Sequence, residues 1–134
     1  MTATVQALDC EQNDRTVLIV NDETDMADAL RWLLEPRGYN VEVACDGLEG
    51  MRKLHAGLRP CLILLDVRMP IMDGFEFRER QLSDPELAGI PVIVLSAALD
   101  DRGDTPARLR ADAYLEGVFD LDSLLELVNQ HALR

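Results

Sequence analysis

Three short runs of this 134-residue sequence are almost wholly apolar, and they constrain the fold more than any other feature. The runs are TVLIV (16–20), CLILL (61–65) and PVIVL (91–95). A strand with one solvated face alternates apolar and polar residues, whereas a strand covered on both faces does not. We therefore expect these runs to be buried strands of a sheet that helices cover on both sides.

Helical patterns lie between these runs and two further predicted strands, 39–44 and 112–116. The clearest helix covers residues 24–35, where apolar residues recur at the three- and four-residue spacings of one helix face. Pro36 and Gly38 follow it and are expected to end it. The remaining predicted helices are residues 47–56, residues 75–83 and a last helix that starts at Leu121 with Asp120 as its N-cap. The segment 99–110 contains Gly103 and Pro106, so a short or irregular helix that starts near Pro106 is expected there.

The order of these elements, strand then helix repeated five times, is typical of a parallel sheet with right-handed crossovers. We therefore expect an α/β, doubly wound fold. The length suits one domain. Residues 1–14 carry polar residues without periodicity and are expected to form a flexible N-terminal extension, which places the single domain at 15–134.

The chain is strongly acidic, with a formal net charge of −12. This acidity argues against direct binding to nucleic acid or anionic lipid, because both need a basic patch. No run of about 18 apolar residues is present that could cross a membrane, and the N-terminus lacks the basic and apolar stretches of a secretory signal. The cytoplasm is therefore the expected compartment. Three cysteines without a C-x-x-C pair indicate neither a zinc site nor a redox pair.

Chemically reactive side chains directly follow the predicted strands. The first strand ends at Asn21 and Asp22, the third at Asp66 and the fourth at Ser96. Ligands of such sheets bind beyond the carboxyl ends of the strands. If the first and third strands are neighbours, Asp22 and Asp66 emerge side by side, and two close carboxylates repel unless a cation lies between them. Mg²⁺ is the expected cation, since it accepts one or two carboxylates plus further oxygen ligands at about 2.0–2.1 Å.

The backbone carbonyl of Val67 is expected to supply a third protein oxygen to this Mg²⁺. Such a site can place a phosphoryl group for in-line attack by a carboxylate, with Ser96 donating a hydrogen bond to that group. Taken singly, each residue has a simpler explanation: Asp66 as a turn cap, Asp22 as an acid at a helix N-terminus, and Ser96 as a loop hydroxyl. Their occurrence at three strand ends of one sheet favours a shared site.

Four stretches resemble the receiver domain of two-component response regulators: VLIVNDETD, LILLDVRMPIMDG, IPVIVLSA and DAYLEGVFDLDSLLELV. The resemblance covers residues 15–133, and the D-x-x-M-P-x-M-D-G string is its most specific part. It implies a (βα)5 flavodoxin-like sheet of five parallel strands in the order 2-1-3-4-5. It also implies a signalling module rather than an enzyme, with at most self-phosphorylation from a phosphodonor and auto-dephosphorylation.

The site residues of that family carry over by position. Asp66 corresponds to the phosphate-accepting aspartate, Asp22 to a metal-binding acid and Val67 to the residue whose carbonyl binds the metal. Ser96 corresponds to the switch hydroxyl, and Tyr114 to the switch aromatic on the last strand. The resemblance implies Mg²⁺ as cofactor and, as phosphoryl donor, a sensor histidine kinase, a phosphotransfer protein or a small phosphodonor. The face made by the fourth helix, fifth strand and fifth helix is expected to respond and to meet a downstream effector protein or domain, and homodimerisation is left open.

Three positions depart from the family pattern. Asn21 stands where a second acid is usual, so it can orient a metal-bound water but brings no charge. Gly117 and Val118 replace the usual lysine and proline. The single lysine of the chain, Lys53, is expected about two turns into a helix, facing solvent, and cannot substitute. Arg68 is the candidate replacement cation, because its guanidinium can meet phosphate oxygens bidentately.

Other interpretations stay open. Without the lysine and the second acid, the chain suits a degenerate receiver that docks proteins independently of phosphorylation, and Arg68 is then an ordinary exposed arginine. A hydrolase of the haloacid-dehalogenase type also uses a strand-end aspartate with Mg²⁺, but it needs a second acid at the position of Arg68. A nucleotide- or flavin-binding protein of the same fold needs a Gly-rich or Ser/Thr-rich loop after the first strand, which this sequence lacks.

Overall fold

The fold is described from a computed structural model that covers residues 15–96, 109–116 and 121–132. The described strands are β1 (Thr16–Val20), β2 (Asn40–Ala44), β3 (Leu62–Asp66), β4 (Val92–Ser96) and β5 (Ala113–Glu116). They form one parallel sheet in the order β2-β1-β3-β4-β5, which confirms the predicted order. The three almost wholly apolar runs lie in the three central strands, where both faces of the sheet are covered.

Two pairs of helices in the described part of the chain cover the two faces of the sheet. α1 (Thr24–Leu34) and α4 (Leu121–Ala132) pack on one face, together with side chains such as Ile19 and Leu64. α2 (Gly47–His55) and α3 (Gly74–Ser83) pack on the other face, together with side chains such as Leu18 and Ile63. Neighbouring residues of one central strand therefore enter opposite cores, which explains why the central strands are almost wholly apolar.

The end of α1 confirms the prediction made from Pro36. The helix ends at Leu34, and a 3₁₀ turn, Glu35–Arg37, continues the chain. Gly38 follows with a φ of 93°, a left-handed conformation that glycine adopts without the steric cost of a Cβ. The other predicted helices and strands that fall on described residues begin and end within about one residue of the observed bounds, as is usual for element ends.

Some predictions fall on residues outside the described ranges. They concern the extension 1–14, the N-cap Asp120 and the substituted positions Gly117 and Val118. Of the predicted irregular helix within 99–110, the described residues are 109 and 110. In the described part of the chain, no helix combines the length and the apolar character needed to cross a membrane.

α3 departs from the apolar pattern expected of a helix packed on a sheet. Phe77 is fully buried, but Arg78 and Gln81 are also buried, with 5% and 0% of their surface exposed. Both polar side chains are held by hydrogen bonds inside the protein. Helix periodicity places these two positions on the inner face, but the sequence pattern did not predict that polar side chains would be buried there.

Candidate functional site

The register of the sheet brings the predicted site residues to one edge. Val20 of β1 pairs with Leu65 of β3, so Asp22 follows β1 beside the point where Asp66 ends β3. The next strand across, β4, ends at Ser96. The carboxyl ends of these parallel strands meet at the same edge of the sheet, as predicted from the sequence.

Asp66 is only partly accessible to solvent, and its carboxyl group is perturbed. The pKa of Asp66 is raised to about 6, mainly by burial and also by the nearby carboxylates of Asp22 and Glu23, while hydrogen bonds from the backbone N–H groups of Val67 and Arg68 lower it. The Val67 N–H donates to Asp66 Oδ1 at 2.8 Å. The two backbone hydrogen bonds are weaker than the cost of burying the charge, so without a cation the carboxyl keeps its proton up to a higher pH than an exposed aspartate does.

This donor set fits a magnesium ion. Asp22 is exposed, yet its carboxylate acts on that of Asp66, so the two lie at the same opening. Among the described residues, no group of three or more His, Cys, Asp or Glu side chains is arranged to hold a metal. Mg²⁺ does not need such a group, because one or two carboxylates, a backbone carbonyl and waters complete its coordination.

The backbone carbonyl of Val67 has a partner that the sequence did not reveal. The Gly74 N–H donates to the Val67 carbonyl oxygen at 2.8 Å, which occupies one of its two lone pairs. The next carbonyl along the chain, that of Arg68, accepts no hydrogen bond from any residue in the described ranges. The structure therefore adds the Arg68 carbonyl as a candidate metal ligand beside the predicted Val67 carbonyl.

Two glycines hold the loop between β3 and α3 close to its neighbours. A Cβ on Gly74 would lie 2.6 Å from the Asp66 carbonyl oxygen, and a Cβ on Gly47 would lie 2.6 Å from the Met72 carbonyl oxygen. The Gly47 N–H donates to that same Met72 oxygen at 3.1 Å. Asp73 then caps α3, since its Oδ1 accepts a hydrogen bond from the Glu76 N–H at 2.9 Å. The Asp-Gly pair of the motif thus starts α3 directly against the backbone of the candidate nucleophile.

Asn21 is buried and is part of the turn that leads into α1. Its side-chain oxygen accepts a hydrogen bond from the Glu23 N–H at 2.8 Å, and its own N–H donates to the Ala44 carbonyl at 3.0 Å. An Asn or Asp at this place builds the same turn with its side-chain oxygen. The position therefore has a structural task in addition to its predicted contact with a metal-bound water.

Two basic side chains, Arg68 and Lys53, bear on the question of a cation at the candidate site. Arg68 is exposed, and among the described residues its side chain has no hydrogen bond or ion pair. Lys53 instead lies on α2, where its Nζ is 3.3 Å from Glu42 Oε1. The structure thus leaves Arg68 available to meet a phosphoryl group and holds the single lysine of the chain in an ion pair with a residue of β2.

Tyr114 is half-buried on β5, at the edge of the sheet. Its hydroxyl oxygen accepts a hydrogen bond from the Ala111 N–H at 2.8 Å, and its ring packs against the core formed with α2 and α3. The backbone of Ser96 pairs with that of Glu116 across β4 and β5. The structure places Ser96 at a strand end beside Asp66, and Tyr114 two residues before the end of the neighbouring strand.

The chain matches the family described as the response regulator receiver domain over residues 17–129. The DNA-binding dual master transcriptional regulator RpaA of Synechocystis sp. is 35% identical over 117 residues, which are 84% of this chain and 46% of RpaA. The chain therefore spans about half the length of this curated relative.

Two solved structures share the fold. The signal receiver domain of a signal transduction histidine kinase from Syntrophus aciditrophicus is 33% identical, with a TM-score of 0.79 over 88% of this chain and 89% of that chain. The response regulator protein TrrA from Thermotoga maritima, crystallised in complex with Mg(2+)-BeF, is 28% identical, with a TM-score of 0.75 over 87% of this chain and 97% of that chain. The likeness thus extends from the motif to the whole β/α architecture.

Proposed function

This chain belongs to the receiver domain family of response regulators in two-component systems, and we propose that it accepts a phosphoryl group on Asp66 in a Mg²⁺-dependent reaction. The donor is a sensor histidine kinase or a phosphotransfer protein. The phosphorylated form presents an altered surface, built around β5 and the helices beside it, to a downstream effector protein or domain. The cytoplasm is the proposed location.

The observation that carries this proposal is the position of Asp66. It ends a buried strand, it is partly shielded from water, and its pKa is raised to about 6 by burial and by the carboxylates of Asp22 and Glu23. A carboxylate held in this way is a fixed nucleophile once a cation offsets the repulsion. An Asp66 oxygen forms the new bond to phosphorus while the bond between phosphorus and the donor breaks, and the leaving group keeps the bonding electron pair.

Asp22 and Asp66 would hold the magnesium ion with carboxylate oxygens, and Asn21 would act through a water. The third protein oxygen would come from the carbonyl of Val67 or of Arg68. The Arg68 carbonyl is favoured, because the Val67 carbonyl already accepts a hydrogen bond from Gly74. When bound, Mg²⁺ supplies positive charge that offsets the two carboxylates and the phosphoryl oxygens.

Three further residues have proposed roles around the phosphoryl group. Ser96 donates a hydrogen bond to it, and Tyr114 changes its packing when the group arrives. Arg68 supplies the positive charge that the family usually takes from a lysine, and its exposed side chain without an ion-pair partner in the described residues supports this role. Phosphorylation adds about −1.5 to −2 charges at pH 7, which is the signal these residues would sense.

The proposed activity is that of a signalling module. It includes self-phosphorylation from a phosphodonor and auto-dephosphorylation, and no reaction on another substrate. The net charge of −12 disfavours direct contact with nucleic acid or a membrane. DNA binding belongs to the printed description of RpaA, and the chain matches 46% of that protein.

A second candidate function is a docking module that keeps the fold but does not depend on phosphorylation. The observation that favours it is the neutral Asn21, whose side-chain oxygen is engaged in the turn into α1. Lys53, the single lysine of the chain, is paired with Glu42 and therefore does not replace the lysine that the family usually carries. Such a module would bind its partners equally well with and without a phosphoryl group on Asp66.

Acetyl phosphate with Mg²⁺ separates the two functions. The proposed receiver gains one phosphoryl group in intact-mass measurement, and the gain disappears in Asp66→Asn and in the presence of a chelator. Asp28→Asn is the matched control, since Asp28 is an exposed carboxyl on α1. It should be phosphorylated as the wild type is.

An unmodified wild-type protein after prolonged incubation with the donor would favour the docking module. A mass gain that persists in Asp66→Asn would place the modification on another residue and would contradict the assignment of Asp66. Equal capture of a partner by the phosphorylated and unphosphorylated protein would contradict the switch but not the phosphorylation.

A further inference from the structure

A buried polar network joins α3 to the chain that enters β5. Arg78 exposes 5% of its surface and Gln81 exposes none. Burial lowers the pKa of the Arg78 guanidinium, and the cost of burying this charge is tolerable only when its N–H groups are hydrogen-bonded. Two apolar side chains would fill the same helix face at a lower desolvation cost, so the presence of Arg78 and Gln81 calls for an explanation.

Arg78 uses the three nitrogens of its guanidinium on three acceptors. Nε donates to the Leu109 carbonyl at 2.7 Å, Nη2 donates to the Arg110 carbonyl at 2.6 Å, and Nη1 donates to Gln81 Oε1 at 2.6 Å. Gln81 Nε2 in turn donates to the Leu87 carbonyl at 2.9 Å. Arg78 thus holds the chain before β5 against α3, and Gln81 holds the turn before β4 against the same helix.

The chain fastened by Arg78 also holds the candidate switch aromatic. Arg110 has a φ of 46°, a left-handed conformation that costs a residue with a side chain about 1–2 kcal/mol. The next residue, Ala111, donates its N–H to the Tyr114 hydroxyl at 2.8 Å. The Leu109 and Arg110 carbonyls that Arg78 binds therefore directly precede Ala111, whose N–H donates to the Tyr114 hydroxyl.

The other end of α3 lies against the candidate phosphorylation site. The Gly74 N–H donates to the Val67 carbonyl, and Gly74 leaves no room for a Cβ beside the Asp66 carbonyl oxygen. A ten-residue helix such as α3 is about 15 Å long. α3 therefore contacts the backbone of Asp66 at its start and, through Arg78, the support of Tyr114 in its second turn.

We propose that Arg78 is a positioning residue that couples the state of Asp66 to the conformation of Tyr114 through α3. The coupling rests on the proposed function. It adds a second route, through α3, to the route proposed through Ser96 at the end of β4. Gln81 fixes the guanidinium and the turn before β4. A displacement of the loop after Asp66 reaches Gly74, moves α3, and changes how firmly the Leu109–Ala111 chain holds the tyrosine hydroxyl.

The test uses the full chain labelled with 3-fluorotyrosine. The sequence has two tyrosines, and Tyr39→Phe assigns the second ¹⁹F resonance to Tyr114. We expect Arg78→Met to shift or broaden the Tyr114 resonance before any ligand is added, and to speed hydrogen exchange at the Ala111 amide about tenfold. Beryllofluoride with Mg²⁺ should then move the Tyr114 resonance by less than about half of the wild-type shift, although beryllofluoride occupancy remains complete.

Arg80→Met is the matched control, because Arg80 lies on the same helix but is exposed and paired with Glu76 at 3.0 Å. It should behave as the wild type in every readout. A purely structural role for Arg78 would lower stability but leave the full beryllofluoride-induced shift of Tyr114, and that result would overturn the proposal. If Arg78→Met does not fold, Arg78→Lys carries the same test, since it keeps the charge but loses the planar fork.

The proposed function and the coupling can fail separately. A wild-type protein that takes up no beryllofluoride overturns the proposed function and the Asp66 half of the coupling. The ligand-free Tyr114 resonance and the exchange of Ala111 still decide whether Arg78 positions the tyrosine. An Arg78→Met variant with the wild-type Tyr114 resonance and the wild-type exchange rate at Ala111 overturns the positioning role of Arg78 as well.

Discussion

Gly74 approaches the backbone of Asp66 so closely that a Cβ at Gly74 would lie 2.6 Å from the Asp66 carbonyl oxygen. It would also lie 2.8 Å from the Cα of Val67. Both are backbone atoms, which cannot relieve a clash by a rotamer change as the end of a flexible side chain could. The start of α3 and the backbone of Asp66 are therefore fixed to each other, and the glycine of the motif is required because no side chain fits there.

Gly74→Ala should consequently displace α3 from the candidate site. We expect a loss of about 1–3 kcal/mol in the free energy of unfolding, the usual cost of forcing an added methyl into a packed interior. Slower phosphorylation from acetyl phosphate should accompany it. Urea unfolding followed by circular dichroism, together with intact-mass kinetics, measures both effects.

Gly89→Ala is the control for that substitution, since a Cβ there meets no atom within 4 Å. It should leave phosphorylation unchanged and alter stability by less than about 1 kcal/mol. Equal effects of the two substitutions would show that the close approach of Gly74 to Asp66 has no special importance.

Replacement of Asp66 by asparagine should stabilise the metal-free protein at neutral pH. The pKa of Asp66 is raised from 3.8 to about 6 in the folded state, so the folded protein binds more protons than the unfolded chain between these values. The free energy of unfolding therefore falls as the pH rises through this window and stays lower above it. Because the carboxyl is partly exposed to solvent, we expect a difference of roughly 1–2 kcal/mol at pH 7.

The difference between Asp66→Asn and the wild type should shrink to a small fraction by pH 4 and vanish at lower pH, where the carboxyl is protonated in both the folded and the unfolded state. Urea unfolding at pH 4, 5, 6 and 7 in the presence of a chelator gives this profile. A wild-type protein as stable as Asp66→Asn across the whole range would contradict the raised pKa. Addition of Mg²⁺ should remove most of the difference at pH 7, because the cation favours the ionised carboxyl.

Asn21→Asp should restore the second acid at the end of β1. The new carboxylate can keep the hydrogen bond from the Glu23 N–H, so the turn into α1 is retained. We expect Mg²⁺ affinity to rise about tenfold from the added negative charge. We also expect a further loss of stability in the absence of metal, because another like charge then lies near Asp66. Calorimetric titration with Mg²⁺ measures the first effect, and unchanged affinity would argue against a contact of residue 21 with the ion or its waters.

Arg68→Ala tests whether this guanidinium replaces the missing lysine. Phosphoryl uptake and the lifetime of the phosphorylated form should change by about tenfold, the effect expected for one charge-assisted contact. Arg68→Lys should recover part of the effect, because it keeps the charge without the bidentate geometry. Arg68→Ala with wild-type rates of phosphorylation and dephosphorylation would return Arg68 to the status of an ordinary exposed arginine.

The sheet and its strand-end residues were predictable because their signals are local. Strands covered on both faces must be apolar throughout, and the runs around Leu18, Leu64 and Val94 are so. Pro36 and Gly38 ended α1 as their backbone preferences require. The positions of Asp22 and Asp66 then followed from parallel strands that end at one edge.

Other features depend on contacts that no local pattern encodes. Arg78 and Gln81 occupy an inner helix face because carbonyls far along the chain, such as those of Leu109 and Leu87, accept their hydrogen bonds. The carbonyl of Val67 was the predicted ligand, but only the fold shows that Gly74 donates a hydrogen bond to it. Residue spacing alone cannot tell which of two successive carbonyls remains free.

The proposed site requires Asp22 and Asp66 to share one divalent cation. Calorimetric titration of Mg²⁺ into the wild type, Asp22→Asn, Asp66→Asn and the Asp28→Asn control tests it directly. We predict one binding site in the wild type and the control, and a loss of affinity of about tenfold or more in each of the other two variants. Wild-type affinity in either Asp22→Asn or Asp66→Asn would show that the ion does not lie between these carboxylates and would contradict the account.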